Sequence, residues 1–241
     1  MKILISPAKQ MKHSDIDFFE GTQPLFLEEA HFLVQELRSK SLDAFQSIMH
    51  CSTAIAQKAY HLYQTFEQQE RSLALFSYKG IQYQYMAPDV LEDLALAYLQ
   101  EHLMILSGLY GLLRPFDWIA PYRLEMQARL PYSLYDFWQN KLADSIHEDL
   151  ILNLASEEYA KAIRPYKKMI DVRFFEETGS KRIEKGVYVK MARGQMVRYL
   201  AQNQINDLSG VRSFHEAGYC FQKDLSSESE IVFTRKTDVS H

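Results

Sequence analysis

The chain has 241 residues, 47% of them hydrophobic and 13% aromatic, with a formal net charge of −4. That is enough apolar material for a real core and excludes a disordered chain, while no run approaches the roughly 18 apolar residues of a membrane span. Two widely spaced cysteines, Cys51 and Cys220, carry no metal or redox spacing, and the apolar stretch after Met1 is too short for a secretion signal, so a reduced cytosolic protein is expected.

Lys2 to Ile5 reads as a short strand. Ser6-Pro7-Ala8-Lys9 follows, with Ser6 expected as a helix N-cap and Pro7 at the first helical position. Lys9 in a first turn opposes the helix dipole, so it is expected to face an anion or a carboxylate. Ser6 and Lys9 share the Ser-x-x-Lys spacing of certain acyl-transfer enzymes, but the companion motifs of those enzymes are missing. Residues 11–24 are polar and irregular. Helices are expected near Leu25–Ser39, Leu42–His50 and Thr53–Gln69, whose apolar residues recur at three- and four-residue steps.

Leu73–Phe76 reads as a strand leading to Lys79-Gly80, and Pro88 opens a helix to about His102. Leu103–Leu106 is a buried strand that runs into Leu106–Met126, a stretch dense in glycine, proline, arginine and aromatic residues. Gly108 and Gly111 permit positive φ or close approach, and irregular segments of this composition often carry binding sites. A structural crossover that caps the core with Trp118 and Tyr122 is the other reading. Ser133 starts a helix to about Asp149. Leu150–Leu154 is the next strand, with polar Asn153 inside it, which must be hydrogen-bonded if buried. Ser156 heads a helix whose Glu157 and Glu158 suit its positive end.

Lys168–Glu176 and Lys181–Glu184 read as a hairpin. Val187–Lys190 reads as a strand that feeds a helix through Leu200, at whose start Lys190, Arg193, Gly194 and Arg198 would make an anion site. Strands near Gly218–Phe221 and Ile231–Arg235 close the chain. From Lys161 to Arg198 eleven cationic residues face four acids, a balance of +7, which leaves −11 for the remainder. That asymmetry points to a basic face for phosphate-bearing partners. No phosphate-binding glycine-rich loop, zinc spacing or nucleophile elbow occurs, so no metal and no cofactor are expected.

Several blocks together resemble the YaaA family: Ile5–Lys9, Leu106–Gly111 with Leu113-Arg114-Pro115, Pro121–Met126, Tyr135–Trp138, Asn153–Tyr159, Lys190–Gly194 and Glu216–Tyr219. They follow the family's order and extend over essentially the whole chain. The resemblance implies a cytoplasmic protein of the hydrogen peroxide response that limits iron-dependent DNA damage. It implies a mixed α/β (α+β) fold over residues 1–241, a single compact domain with a central mixed sheet flanked by helices, an unusual topology and a basic cleft. It also implies binding of double-stranded or branched DNA, with a helix-hairpin-helix-like element around Gly108, although Gly108 and Gly111 have two residues between them where the usual hairpin has one. DNA or anion contacts are then expected from Lys9, Lys79, Gly108, Tyr110, Gly111, Arg114, Tyr122, Arg123, Lys190, Arg193, Gly194 and Arg198. A second reading keeps an enzyme acting on a small nucleotide-like or other anionic substrate, with Ser6, Lys9, Asn153, Glu158 and Glu216 as candidate catalytic groups. No membrane is expected among the partners.

Overall fold

The computed structural model describes residues 1–16, 19–179 and 181–236; Asp17 and Phe18 of the irregular 11–24 stretch, Ser180, and residues 237–241 of the expected domain lie outside it. The strands are β1 (Lys2–Ile5), β2 (Gln10–Met11), β3 (Ser72–Leu73), β4 (Tyr78–Lys79), β5 (Leu103–Ser107), β6 (Gly111–Leu113), β7 (Trp118–Ile119), β8 (Ile151–Leu154), β9 (Ile170–Thr178), β10 (Lys181–Ile183), β11 (Cys220–Phe221) and β12 (Glu230–Lys236). Eight of them form one mixed sheet in the order β11-β12-β9-β8-β1-β5-β6, with β10 paired to β9. Eleven α-helices flank it among the described residues.

The five interior strands β12, β9, β8, β1 and β5 run parallel. β6, β10 and β11 are antiparallel to their neighbours. Parallel strands covered on both faces read as continuous apolar runs, and Ile3, Leu4 and Ile5 in central β1 are fully buried. Because the interior is parallel, the carboxyl ends of these strands lie along one edge, where ligands of such sheets gather.

Four expectations are corrected. Ser6-Pro7-Ala8-Lys9 does not start a helix; the chain stays extended into β2, which pairs with β4. The Leu73–Phe76 strand is confined to Ser72–Leu73, and Ala74–Ser77 forms one helical turn. Val187–Lys190 is no strand but part of the 17-residue helix Gly186–Gln202, which packs on helices Ile81–Met86 and Asp93–His102. The long helices expected from Pro88 and from Ser133 are each broken, into Pro88–Val90 and Asp93–His102, and into Leu134–Trp138 and Lys141–Asp144. Extended Leu91 and Glu92 interrupt the first, and Gln139 at φ +45° interrupts the second.

The Leu106–Met126 stretch is a tight β-hairpin and a return across the strand ends. β5 turns into β6 through residues 108–110, closed by Gly111 at φ +69°. Ser107 Oγ accepts from the Tyr110 amide at 2.9 Å, and Trp138 Nε1 donates to Gly108 O at 3.1 Å. This is not a helix-hairpin-helix element: strands flank the turn, and Gly108, Tyr110 and Gly111 are buried. Arg114 donates to the fully buried Asp117 through Nε at 3.1 Å and Nη2 at 2.9 Å, and to Gln23 O at 2.6 Å, so its head is tied into the fold.

Candidate functional site at the strand ends

The turn after β1 meets the turn after β8. Ser6 Oγ accepts from the Ser156 amide at 2.8 Å and donates to Ser156 Oγ at 3.2 Å. This long-range tie explains why Ser6 caps no helix of its own. Tyr83 donates to Ser6 O at 3.0 Å. Over the same edge crosses the segment 122–127, which brings Arg123 within 2.6 Å of Glu125 and Glu125 within 3.3 Å of Lys9. Lys9, which lies in no helix, meets this carboxylate with its side chain largely exposed. Glu125 Oε2 and Arg123 Nε are buried without hydrogen-bond partners among the described residues. Glu158 Oε1 accepts from the Gln127 amide at 3.4 Å.

Four buried tyrosines floor this region. Tyr122 OH bonds Ser107 Oγ at 2.7 Å and Tyr78 OH at 2.8 Å. Burial pushes its phenol up to about 12 even though both hydrogen bonds pull the other way. Burial also lifts Tyr78, Tyr83 and Tyr159 well above the ordinary phenol value. These phenols are neutral donors at physiological pH, so Tyr122 is a structural bridge rather than a surface contact for an anion.

Beyond β8 the sheet forks. β8 pairs with β9 only through Ile170 and Asp171, and β10 joins the same strand from Glu176 onward. A cavity of about 390 Å³ occupies this fork, lined by Asn153, Ser156, Asp171, Arg164, Arg173 and Arg193 among others. Asn153 Nδ2 donates to Asp171 at 2.7 Å while its Oδ1 accepts from the Ala155 amide at 3.0 Å. The asparagine therefore ties the backbone and faces the cavity at once. Arg164 pairs with Asp171 and Glu157, and Arg173 with Glu184 and Glu230. Hydrogen bonding to Asp171 and to Glu184 respectively holds both guanidinium groups above their usual range. Burial pulls Arg193 below it.

Arg193 reaches the fork from mid-helix. The helix begins at Gly186, so the amides of residues 190–194 are engaged within it and do not form the expected helix-start anion site. Gly194 serves contact instead: a Cβ there would lie 2.2 Å from Gln82 O of the neighbouring helix. Arg198, five residues on, turns to a different hollow beside Tyr85 and Glu216, and its Nε donates to Gln202 Oε1 at 3.3 Å. Lys79 is exposed beside a third hollow with Lys12 and Tyr83, and Lys190 is exposed on the helix.

The structure thus brings together Ser6, Lys9, Arg123, Asn153 and Glu158, with Arg193 at the fork. It sets Glu216 and Arg198 apart and buries Gly108, Tyr110, Gly111, Tyr122 and Gly194. Arg164, Asp171, Arg173 and Glu184 were not singled out from the sequence. The signal was present in part, since Asp171 and Arg173 share one face of an alternating strand. Among the described residues no group of three metal-ligating side chains gathers, and no helix is long and apolar enough to cross a membrane.

Fold and site together define a mixed α/β protein with polar and cationic groups gathered at the carboxyl ends of its parallel strands. Residues 1–225 match the family described as peroxide stress protein YaaA, and the chain belongs to that family. Similar proteins include a UPF0246 protein of Lacticaseibacillus casei (strain BL23), 44% identical over 98% of this chain and 100% of its own length. Another, from Desulfitobacterium hafniense (strain Y51), is 42% identical over 98% of both chains. A third, from Agathobacter rectalis, is 39% identical over 98% of this chain and 99% of its own. Membership attaches the chain to a family named for the peroxide stress response.

Proposed function

We propose that the protein acts in the peroxide response by binding DNA, double-stranded or branched, and thereby limits iron-dependent damage to it. The observation that carries this reading is the surface of β10 and the first turns of helix Gly186–Gln202. Lys181, Arg182, Lys185 and Lys190 are exposed there, interleaved with exposed Ile183, Val187 and Tyr188. Lys185 Nζ lies 5.6 Å over the Tyr188 ring. Cations position a phosphate backbone, and apolar or aromatic groups add sequence-tolerant contact. This surface replaces the buried Gly108–Arg114 block as the DNA-facing element.

The test is fluorescence anisotropy on duplex and branched DNA across a salt series, with Lys181→Ala/Arg182→Ala/Lys190→Ala beside the unaltered protein. Loss of three phosphate contacts lowers the log–log salt slope by about 2.7. Absence of binding at low salt, or a variant with an unchanged slope, refutes the reading. An enzyme acting on a small nucleotide-like or other anionic substrate is the second reading. Its support is the strand-end cluster, where Lys9, Arg123 and the partly unpartnered Glu125 carboxylate lie close to the Ser6–Ser156 tie.

A further inference from the structure

The cavity at the β8–β9 fork holds three arginines, and only two of them have carboxylate partners. Arg164 is held by Asp171 and Glu157, and Arg173 by Glu184 and Glu230. Arg193 makes no ion pair among the described residues, and its Nε is buried with no hydrogen-bond partner. A recessed guanidinium that carboxylates reach only from a distance, as Glu184 and Asp171 do here, is costly to retain. Nor does it reach the fork by slack in the chain, because Gly194 beside it locks the helix against the Gln82 carbonyl.

Across the cavity, the Ser156 hydroxyl has a defined role to fill. Ser6 donates its proton to Ser156 Oγ, which leaves the Ser156 proton for another acceptor. We propose that this cavity binds the phosphate monoester of a sugar or nucleoside, its anionic head on Arg193 and Ser156. Arginine matches the geometry of a phosphate head better than any other side chain. The volume of about 390 Å³ sits toward the small end of ligand pockets, which run from about 300 to 1,000 Å³. It suits a sugar phosphate or mononucleotide, not a polymer.

The balance of charge sets the number of phosphates. Arg164, Arg173 and Arg193 line the cavity against Glu157, Asp171 and Glu184, so the lining is neutral overall with one cation locally free. One phosphate head, with a charge of about −1.5 to −2 at neutral pH, can be held by that cation with the Ser156 hydroxyl, whereas a triphosphate would bring further negative charge against the three carboxylates. Glu157 and Glu184 are free to accept from hydroxyl groups of the sugar through their remaining lone pairs. This site is separate in its chemistry from the exposed cations of β10 and does not depend on the DNA reading.

The experiment is thermal shift and calorimetric titration of the full chain with adenosine 5′-monophosphate, ribose 5-phosphate, inorganic phosphate and adenosine triphosphate. Arg193→Met and Ser156→Ala are measured beside it. The monoesters are expected to raise the melting temperature and to bind more tightly than the triphosphate. Arg193→Met is expected to abolish that shift while raising the melting temperature of the ligand-free protein, because it removes an unpaired charge without opening a void. A merely structural arginine would not give that combination. Ser156→Ala is expected to weaken binding about tenfold. The proposal is overturned if no monoester binds at millimolar concentration, or if the triphosphate binds better. It is also overturned if Arg193→Met binds as before, melts lower, or fails to fold. The same variants titrated with DNA separate the two readings: Arg193→Met leaves DNA affinity unchanged if both hold, and the loss of DNA affinity alone would reassign Arg193 to the DNA surface.

Discussion

Gly194→Ala measures how tightly the helix that carries Arg193 is seated. The added Cβ would lie 2.2 Å from Gln82 O, 2.9 Å from Met86 N and 3.0 Å from Tyr85 Cβ. Favourable carbon contacts begin near about 3.5 Å, so the two helices must separate by roughly 1 Å. Two of the three atoms are backbone, and no rotamer change relieves them. Overpacking of this kind costs about 1–3 kcal/mol, and a backbone clash belongs at the top of that range. Alanine returns about 0.8–1.0 kcal/mol of helix propensity, which leaves a net loss of about 2 kcal/mol. For a chain of this size that lowers the melting temperature by roughly 4–8 °C. Gly186→Ala is the internal control, because nothing lies within 4 Å of its Cβ position; it should stabilise by about 0.4–1 kcal/mol. Urea unfolding followed by circular dichroism gives both values. A Gly194→Ala protein as stable as the unaltered chain, or stabilised like the control, refutes the close-contact argument.

Two further substitutions test the charges that hold the fold. Asp117 is fully buried and receives Thr22 Oγ1 at 2.6 Å and the Arg114 amide at 2.7 Å besides the Arg114 guanidinium. Asp117→Ala leaves that guanidinium uncompensated and is expected to cost about 3–5 kcal/mol by urea unfolding, a loss under 1 kcal/mol contradicting the assigned role. Glu176 is buried between Arg235 at 2.5 Å and Lys185 at 3.1 Å. Burial alone would raise its carboxyl, but the two cations outweigh it and hold the group below the ordinary glutamate range. Its contribution is therefore present above the unfolded-state value of about 4.3 and is lost as pH falls through the lower folded value. Glu176→Gln should accordingly destabilise most at neutral pH, with the gap closing on acidification; a gap constant from pH 7 to pH 3 would contradict it.

The long sheet strands were legible because each carries its own pattern. β1 and β5 are short apolar runs, β8 is one interrupted by Asn153, and β9 with β10 alternates around a Thr178-Gly179 turn. The helix through Leu200 was expected, but its start at Gly186 was hidden because Val187-Tyr188-Val189 have β-branched and aromatic side chains, and packing against Ile81–Met86 overrides that local preference. Ser6 misled for a different reason. Ser-Pro is a sound local helix start, yet its hydroxyl is claimed by Ser156, 150 residues away. Asn153 stood out as a polar residue inside an apolar strand, and Arg193 within a cationic cluster at an expected helix start. Their company at the fork did not, since Arg164, Asp171 and Arg173 meet them only through the register of β9 against β8 and β10.

The order of the sheet explains why the most unusual stretch of the sequence ended as scaffold and an ordinary-looking one as site. β5 lies at the last parallel position, so the chain leaving it must turn back as antiparallel β6, and the glycines and Tyr110 are consumed in that turn. The segment beyond β6 crosses the carboxyl edge and brings Arg123 and Glu125 to it. β9, by contrast, outruns β8, and the residues between its two partners have no ladder on that side. Asp171 and Arg173 line the cavity that fills this gap. A sheet that continues from β5 into β6 and is interrupted along β9 therefore puts a close-packed turn at the first strand and the proposed ligand cavity at the second.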